Sequence, residues 1–215
     1  MLFDMDGVLV NSEPIHEKAQ KIVCEQFGLD VPESISSTFK GWTEDRVYKY
    51  IAKHFGTGST TVKNLINAKH SAFASLAHEV ELMPGALDLV QYSHSMGIPL
   101  GLVTSATKAD QERAFQNHNL SSYFSSIVTV EDVLCPKPDP EPFIQGSKNL
   151  GIPPSECLVI EDSKYGIQSG LDAGCHVFGL ASTFTHQILE ETGAQKVFDS
   201  IPEIKSYLKS LPVHK

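Results

Sequence analysis

The 215 residues are 41% hydrophobic and 20% charged, enough apolar material for a sizeable core in one large domain or two small ones. A formal net charge of −9, with no run of lysines or arginines, argues against a nucleic-acid groove or an anionic membrane surface as partner. Four cysteines without a C-x-x-C pair or a regular histidine spacing argue against a zinc site and a disulfide framework. No apolar stretch of about 18 residues is present to span a bilayer, and no charged-then-apolar leader stands at the start. The expectation is a soluble protein of a reducing cytoplasm, acting as a monomer. Cys157 and Cys175 lie in apolar, strand-like runs and read as small core residues, while Cys135 is assigned no role.

The first element is a strand, "MLFD", which runs into "FDMDGVLVNSE" (Phe3 to Glu13). Two like charges, Asp4 and Asp6, stand at its end with Gly7 behind them. A plain turn would use these residue types. A calcium loop would need an oxygen ligand at its fifth position, glycine at its sixth and glutamate at its twelfth. Counted from Asp4, those positions hold Val8, Leu9 and Ile15, so the EF-hand fails. In extended chain, residues i and i+2 point to one side, and both carboxylates could then converge on one cation or substrate.

From Glu13 to Met83 the pattern is helical. Ile15, Ala19, Ile22, Val23 and Phe27 recur at one-face spacing, with Gly28 where a C-terminal cap belongs. Val47, Ile51 and Phe55 form a second stripe, and Val62, Leu65, Ile66, Phe73 and Leu76 a third. After Gly85 the rhythm becomes helix, strand, helix, strand. "IPLGLVTS", "SSIVTV", "CLVIED" and "CHVFGL" are short, apolar and β-branched, and helical stretches lie between them, ending near Gly97, Gly151 and Gly174. Such alternation predicts a parallel sheet covered on both faces. The fold class is therefore α/β, a Rossmann-like parallel core sheet of five strands with an inserted α-helical cap. The core takes residues 1–12 and 84–215, and the cap 13–83, with linkers near Val8 to Glu13 and His78 to Pro84.

Ligands of parallel α/β sheets bind beyond the carboxyl ends of the strands. The polar residues there are Asp4 and Asp6, then Thr104 and Ser105, then Lys137 in "PKPDP", then Glu161 and Asp162. Taken singly, Thr104 could be a helix N-cap, Lys137 a solvated loop residue and Glu161–Asp162 a turn. Together they make a site. Four carboxylates in one cleft need a cation to offset their repulsion, and oxygen-only ligands select a hard ion, with magnesium best suited to phosphate chemistry. One aspartate could attack phosphorus, a second acid could shuttle the proton, and the lysine and hydroxyl could hold the phosphoryl oxygens.

"DMDGVLVNSE", "LVTSA", "KPDPEPF" and "IEDSKYGI" resemble the four signature motifs of the haloacid-dehalogenase-like hydrolase superfamily. More narrowly, they resemble its branch of small sugar-phosphate phosphatases and β-phosphoglucomutase. The resemblance implies a phosphatase in which Asp4 is the nucleophile, Asp6 the general acid/base, and Thr104 and Lys137 the phosphoryl-binding groups. It implies Mg²⁺ held by Asp4, the backbone carbonyl of Asp6 and Asp162, with Glu161 a ligand through water or a supporting partner. The substrate would be a small phosphorylated metabolite, with no nucleic acid and no membrane. In the cap it points to His16, which could equally be a surface histidine, to Gly41 in the loop "FKGWTEDR" and to Lys69. Ser105 joins these as a substrate-binding residue. Where the mutase has an arginine for the second phosphate, this chain has Glu44, with Arg46 two residues on; Ala106 stands where a serine is expected. The first expectation is therefore hydrolysis, the alternative a phosphomutase, and the third a sugar-phosphate-binding module that does no chemistry.

Overall fold

The structure is a computed structural model, and it describes residues 1–39, 44–56 and 60–212. Its strands are β1 (Leu2–Phe3), β2 (Val10–Asn11), β3 (Glu81–Leu82), β4 (Gly101–Val103), β5 (Ser126–Val128), β6 (Leu158–Glu161), β7 (His176–Leu180) and β8 (Lys196–Phe198). Six of them form one sheet in the order β5-β4-β1-β6-β7-β8, every neighbour parallel, and β2 pairs with β3 separately and antiparallel.

The chain divides into two compact units, Met1–Asn11 with Glu81–Lys215, and Ser12–Val80. In the second unit lie the helices α1 (Glu13–Gln26), α2 (Glu33–Ser36), α3 (Glu44–His54) and α4 (Val62–Leu76). Their buried stripes are Ile15, Ala19, Val23 and Cys24 on α1, Val47, Tyr48 and Ile51 on α3, and Leu65, Ala72 and Phe73 on α4. The Thr61 side chain accepts the N–H of Asn64 and so caps α4. Ile22, assigned to the inner stripe, faces outward and is 39% exposed. The α1 seam follows Ile15, Ala19 and Val23 at a spacing of four, which carries Ile22 off its edge.

The first unit carries α5 (Ala86–Ser95), α6 (Lys108–His118), α7 (Glu141–Leu150), α8 (Lys164–Asp172), α9 (His186–Thr192) and α10 (Ile201–Ser210). Gly97, Gly151 and Gly174 take positive φ at the ends of α5, α7 and α8, as a left-handed exit requires. The core packs Leu2, Val103, Val128, Val159 and Val177 from the strands against Phe143 of α7, Ile167 of α8 and Leu189 of α9, all fully buried. Each such side chain removed from water contributes about 1.5–3 kcal/mol to holding the sheet together. Cys157 and Cys175 are buried in the same layer and Cys135 is exposed.

The sequence reading expects five strands; the sheet has six. The added strand, β8, is a three-residue edge whose first member, Lys196, is exposed, so it shows no apolar run. The two stretches read as linkers also contain β2 and β3, too short to show a period. Among the described residues, no helix is long and apolar enough to cross a membrane.

Candidate active site

Because all six strands are parallel, their carboxyl ends share one edge of the sheet. β1 sits between β4 and β6, with Phe3 level with Leu102 and Ile160. By that register Asp4 follows level with Val103 and Glu161, and Thr104 comes one residue further on. The Asp4 N–H donates to the Ile160 carbonyl at 3.0 Å and that of Thr104 to Val128 at 2.9 Å, so both backbones are held by the ladder up to the functional side chain.

Asp4 is buried, and after it the chain folds into a tight turn. The N–H groups of Leu9 and Val10 both donate to the Met5 carbonyl, at 2.8 and 3.0 Å, and that of Gly7 to Val10 at 2.8 Å. Gly7 has φ +75°, and a Cβ there would stand 2.0 Å from Asp162 Oδ2. Only glycine both adopts this backbone and lets the turn lie against that carboxylate. Asp6 follows the same turn, partly exposed.

Lys137 comes from the loop between β5 and α7. The Glu141 carboxylate at the start of α7 accepts the N–H groups of Leu134 and Cys135, at 3.0 and 2.7 Å, and closes that loop on itself. The Lys137 side chain is 5% exposed, and Nζ donates to Asp4 Oδ1 at 2.6 Å, to Glu161 Oε1 at 2.7 Å and to the Val103 carbonyl at 2.8 Å. All three ammonium protons are used. It is no solvated loop residue.

Glu161, 1% exposed, meets Lys137 through Oε1, while Oε2 accepts the N–H groups of Asp162 and Ser163 and the Ser163 hydroxyl at 2.9–3.0 Å. This carboxylate is a hub that ties Lys137 to the start of α8. Gly166 of α8 leaves the room for it, since a Cβ there would lie 1.7 Å from Glu161 Oε1. Helix propensity favours Gly166→Ala by about 1 kcal/mol, and the clash with a pinned, buried carboxylate opposes it by about 1–3 kcal/mol or more. The clash is expected to win, so urea unfolding of Gly166→Ala should show net destabilisation together with reduced turnover. A variant more stable than wild type would show that Glu161 is free to move.

Thr104 is 3% exposed, and its Oγ1 accepts the Ala106 N–H at 3.0 Å. The N-cap of α6 is Thr107, whose hydroxyl oxygen accepts the Asp110 N–H, so the helix-cap role does not fall to Thr104. Ser105 beside it is exposed.

The charge balance of the cluster is unequal. Carboxylate oxygens of Asp4, Glu161 and Asp162, all buried, lie within 4.8 Å of one another. Burial raises the Asp4 pKa well above the usual range; Lys137 opposes this and the neighbouring acids add to it. Burial and then Glu161 push Asp162 up to about 7, against a hydrogen bond from Thr183. Burial works against the charge on Lys137, yet Asp4 and Glu161 outweigh it and hold its pKa above the ordinary lysine value. Three acids thus compete over one ammonium, and a hard divalent cation would relieve the excess. Oxygen donors without nitrogen or sulfur fit such an ion.

In the helical unit, His16 is half-buried and stacks on Phe73 with ring centres 4.3 Å apart. Its Nδ1 is buried without a hydrogen-bond partner. Burial, then the charges of Lys69 and His70, pull its pKa down to about 3, which keeps the ring neutral near pH 7. The surface-histidine alternative does not hold. Lys69 is 2.9 Å from Glu44, which also meets His70 at 2.8 Å. The anion and the cation that the sequence reading weighs separately are one ion pair. Gly41 lies outside the described residues.

Ser182 and Thr183, after β7, were missed, and the strand-end rule that found the other residues would have found them. The Ser182 hydroxyl donates to the Gly7 carbonyl at 2.7 Å, and the Thr183 hydroxyl oxygen stands beside the same glycine, 3.0 Å from where a Cβ on Gly7 would lie.

The family profile described as "Haloacid dehalogenase-like hydrolase" matches residues 1–180. Hexitol phosphatase A of Escherichia coli is 32% identical over 184 residues, covering 83% of this chain and 81% of that protein. The chloroplastic protein SUPPRESSOR OF QUENCHING 1 of Arabidopsis thaliana is 31% identical over 95% of this chain, which spans only 20% of its length. A crystal structure from Thermotoga maritima, described as a candidate β-phosphoglucomutase, superposes with a TM-score of 0.85 over 98% of both chains at 26% identity. A profile match over most of the chain, on a sheet whose strand ends gather these acids and this lysine, has one reading: the chain belongs to the haloacid dehalogenase-like hydrolase family.

Proposed function

We propose that the protein is a Mg²⁺-dependent phosphomonoesterase acting on a small sugar phosphate through an aspartyl-phosphate. The observation that carries this reading is the buried set of Asp4, Glu161 and Asp162 around the fully engaged ammonium of Lys137.

In this reading Asp4 is the nucleophile: a carboxylate oxygen bonds to phosphorus as the ester P–O bond breaks. Asp6, partly exposed, gives its proton to the leaving alkoxide and then takes one from the water that attacks phosphorus as the bond to Asp4 breaks and phosphate leaves. Lys137, already 2.6 Å from Asp4 Oδ1, steadies the charge that moves onto the phosphoryl oxygens, and the buried Thr104 supports the same group. Mg²⁺, held by Asp4, the Asp6 carbonyl and Asp162 with Glu161 in support, would lower the repulsion between the attacking carboxylate and the phosphate dianion. The inserted helical unit serves substrate choice, with His16 and Lys69 as its contributions. A hexitol phosphate or related sugar phosphate is the favoured class, in keeping with the hexitol phosphatase relative.

Hydrolysis is favoured over phosphoryl exchange by one observation, the pairing of Lys69 with Glu44. A mutase must also hold a second phosphate, and Glu44 cancels the Lys69 charge with no divalent ion proposed beside that pair, whereas the acids around Lys137 would share one. The test is a panel of hexitol and hexose monophosphates, with β-glucose 1-phosphate plus a trace of the 1,6-bisphosphate. Inorganic phosphate and glucose 6-phosphate are both followed, before and after chelation and Mg²⁺ addition. Phosphate release that stops on chelation and returns with Mg²⁺ is expected. Rapid glucose 6-phosphate formation with negligible phosphate would overturn hydrolysis, and full turnover in excess chelator would overturn the cation.

A further inference from the structure

We infer that Ser182 and Thr183, in the turn after β7, are positioning residues that clamp the two halves of the cation site, the Asp6–Gly7 turn and the Asp162 carboxylate, into one geometry. The inference rests on the proposed reading that Asp162 and the Asp6 carbonyl hold a divalent ion.

The Ser182 Oγ lies 2.7 Å from the Gly7 carbonyl and 3.3 Å from Asp162 Oδ2. A hydroxyl has a single proton, and the shorter, stronger contact takes it. Ser182 therefore donates to Gly7 while its oxygen stands against Asp162 Oδ2, so one hydroxyl spans both halves of the site. Gly7 is then held at both ends, its N–H by the Val10 carbonyl at 2.8 Å and its carbonyl by Ser182. The Asp6 carbonyl shares a planar peptide with the Gly7 nitrogen, so fixing that N–H also aims the Asp6 oxygen. A Cβ on Gly7 would fall 2.0 Å from Asp162 Oδ2 and 3.0 Å from Thr183 Oγ1, which places turn, carboxylate and hydroxyl in one close contact.

The clamp has its own footing. The Ala181 N–H donates to the Phe198 carbonyl at the end of β8, at 2.9 Å, and the Ser182 N–H to Leu180 at 2.8 Å. The edge strand β8 thus gives the turn a rigid base. Two ligand segments far apart in sequence are aligned by a third that need not touch the ion. Partners of this kind, hydrogen-bonded behind metal ligands, commonly govern affinity for the ion.

The experiment measures Mn²⁺ binding without substrate, reading the free ion from its electron paramagnetic resonance signal. Wild type is compared with Ser182→Ala, Thr183→Val, Thr183→Ser and Asp162→Ala, and the metal-free melting temperature is recorded for each. Ser182→Ala is expected to raise the Kd by about 10–100-fold and Thr183→Val by less, with Thr183→Ser close to wild type. Metal-free melting should be nearly unchanged, which a purely structural role would not allow. If Thr183→Val fails to fold, Ser182→Ala decides. Wild-type Kd in Ser182→Ala and Thr183→Val, with binding lost in Asp162→Ala, overturns the clamp and leaves the cation reading intact. No Mn²⁺ binding by wild type, or undiminished binding by Asp162→Ala, overturns that reading and the clamp with it.

Discussion

Asp4→Asn is expected to lower kcat by at least about a thousandfold, on the order of 4 kcal/mol of barrier, and at the same time to make the metal-free protein more stable. The first effect follows from chemistry, because an amide is a far poorer nucleophile toward phosphorus than a carboxylate. The second follows from the electrostatics of the cluster. Burial raises the Asp4 pKa by more than Lys137 can lower it, so the folded state disfavours the charged form. A carboxylate whose folded pKa is raised helps stability fully only below its unfolded value, and that help is lost as pH rises. A neutral isostere removes the cost, so the gain should appear at pH 7 and vanish near pH 4. Single-turnover assays and thermal melts in chelator measure both. Retention of more than about a tenth of wild-type kcat, a loss below about 1.4 kcal/mol, would end the nucleophile assignment. A metal-free melting point below wild type at pH 7 would contradict the charge argument.

Lys137→Ala is expected to fail in both respects. It leaves Asp4 and Glu161 buried with their shared cation gone, and breaking a buried pair from one side costs about 3–5 kcal/mol. With Lys137 absent, the Asp4 pKa should rise further, so the deficit against wild type should shrink as pH falls toward 4. Turnover should drop by about two to three orders of magnitude, the scale for losing one preorganised charge-stabilising donor. Urea unfolding at pH 4 and pH 7 with steady-state kinetics tests this. A deficit below about 1 kcal/mol at pH 7 would mean that the three contacts of Nζ count no more than a surface ion pair. Asp4→Asn and Lys137→Ala thus disable one site while moving stability in opposite directions.

The candidate site was legible because its residues stand at the ends of apolar strands or in the loops that follow them, where parallel topology permits only one destination. Asp4, Thr104, Lys137, Glu161 and Asp162 follow from that rule with no knowledge of distances. What escaped has physical reasons. The strand β8 has three residues and an exposed lysine, so neither period nor hydrophobicity marks it. The strands β2 and β3 have two residues each and exist through each other, and pairing across seventy residues leaves no local trace. The Glu44–Lys69 pair joins two helices whose stripes specify only their buried faces. Gly166 was inside a quoted motif, but only coordinates show that Glu161 fills the space its side chain would need.

The pairing of Val10 with Leu82 and Asn11 with Glu81 brings the exit and the re-entry of the helical unit side by side. From the sheet's standpoint, everything from Ser12 to Val80 is therefore a single detour made at one address. A detour that closes on itself can be lengthened, shortened or exchanged for another without shifting the register of β1 against β4 and β6. Selection can then act on the inserted segment and on the strand ends of the sheet as separate inheritances. One sheet can carry different inserts while keeping its acids.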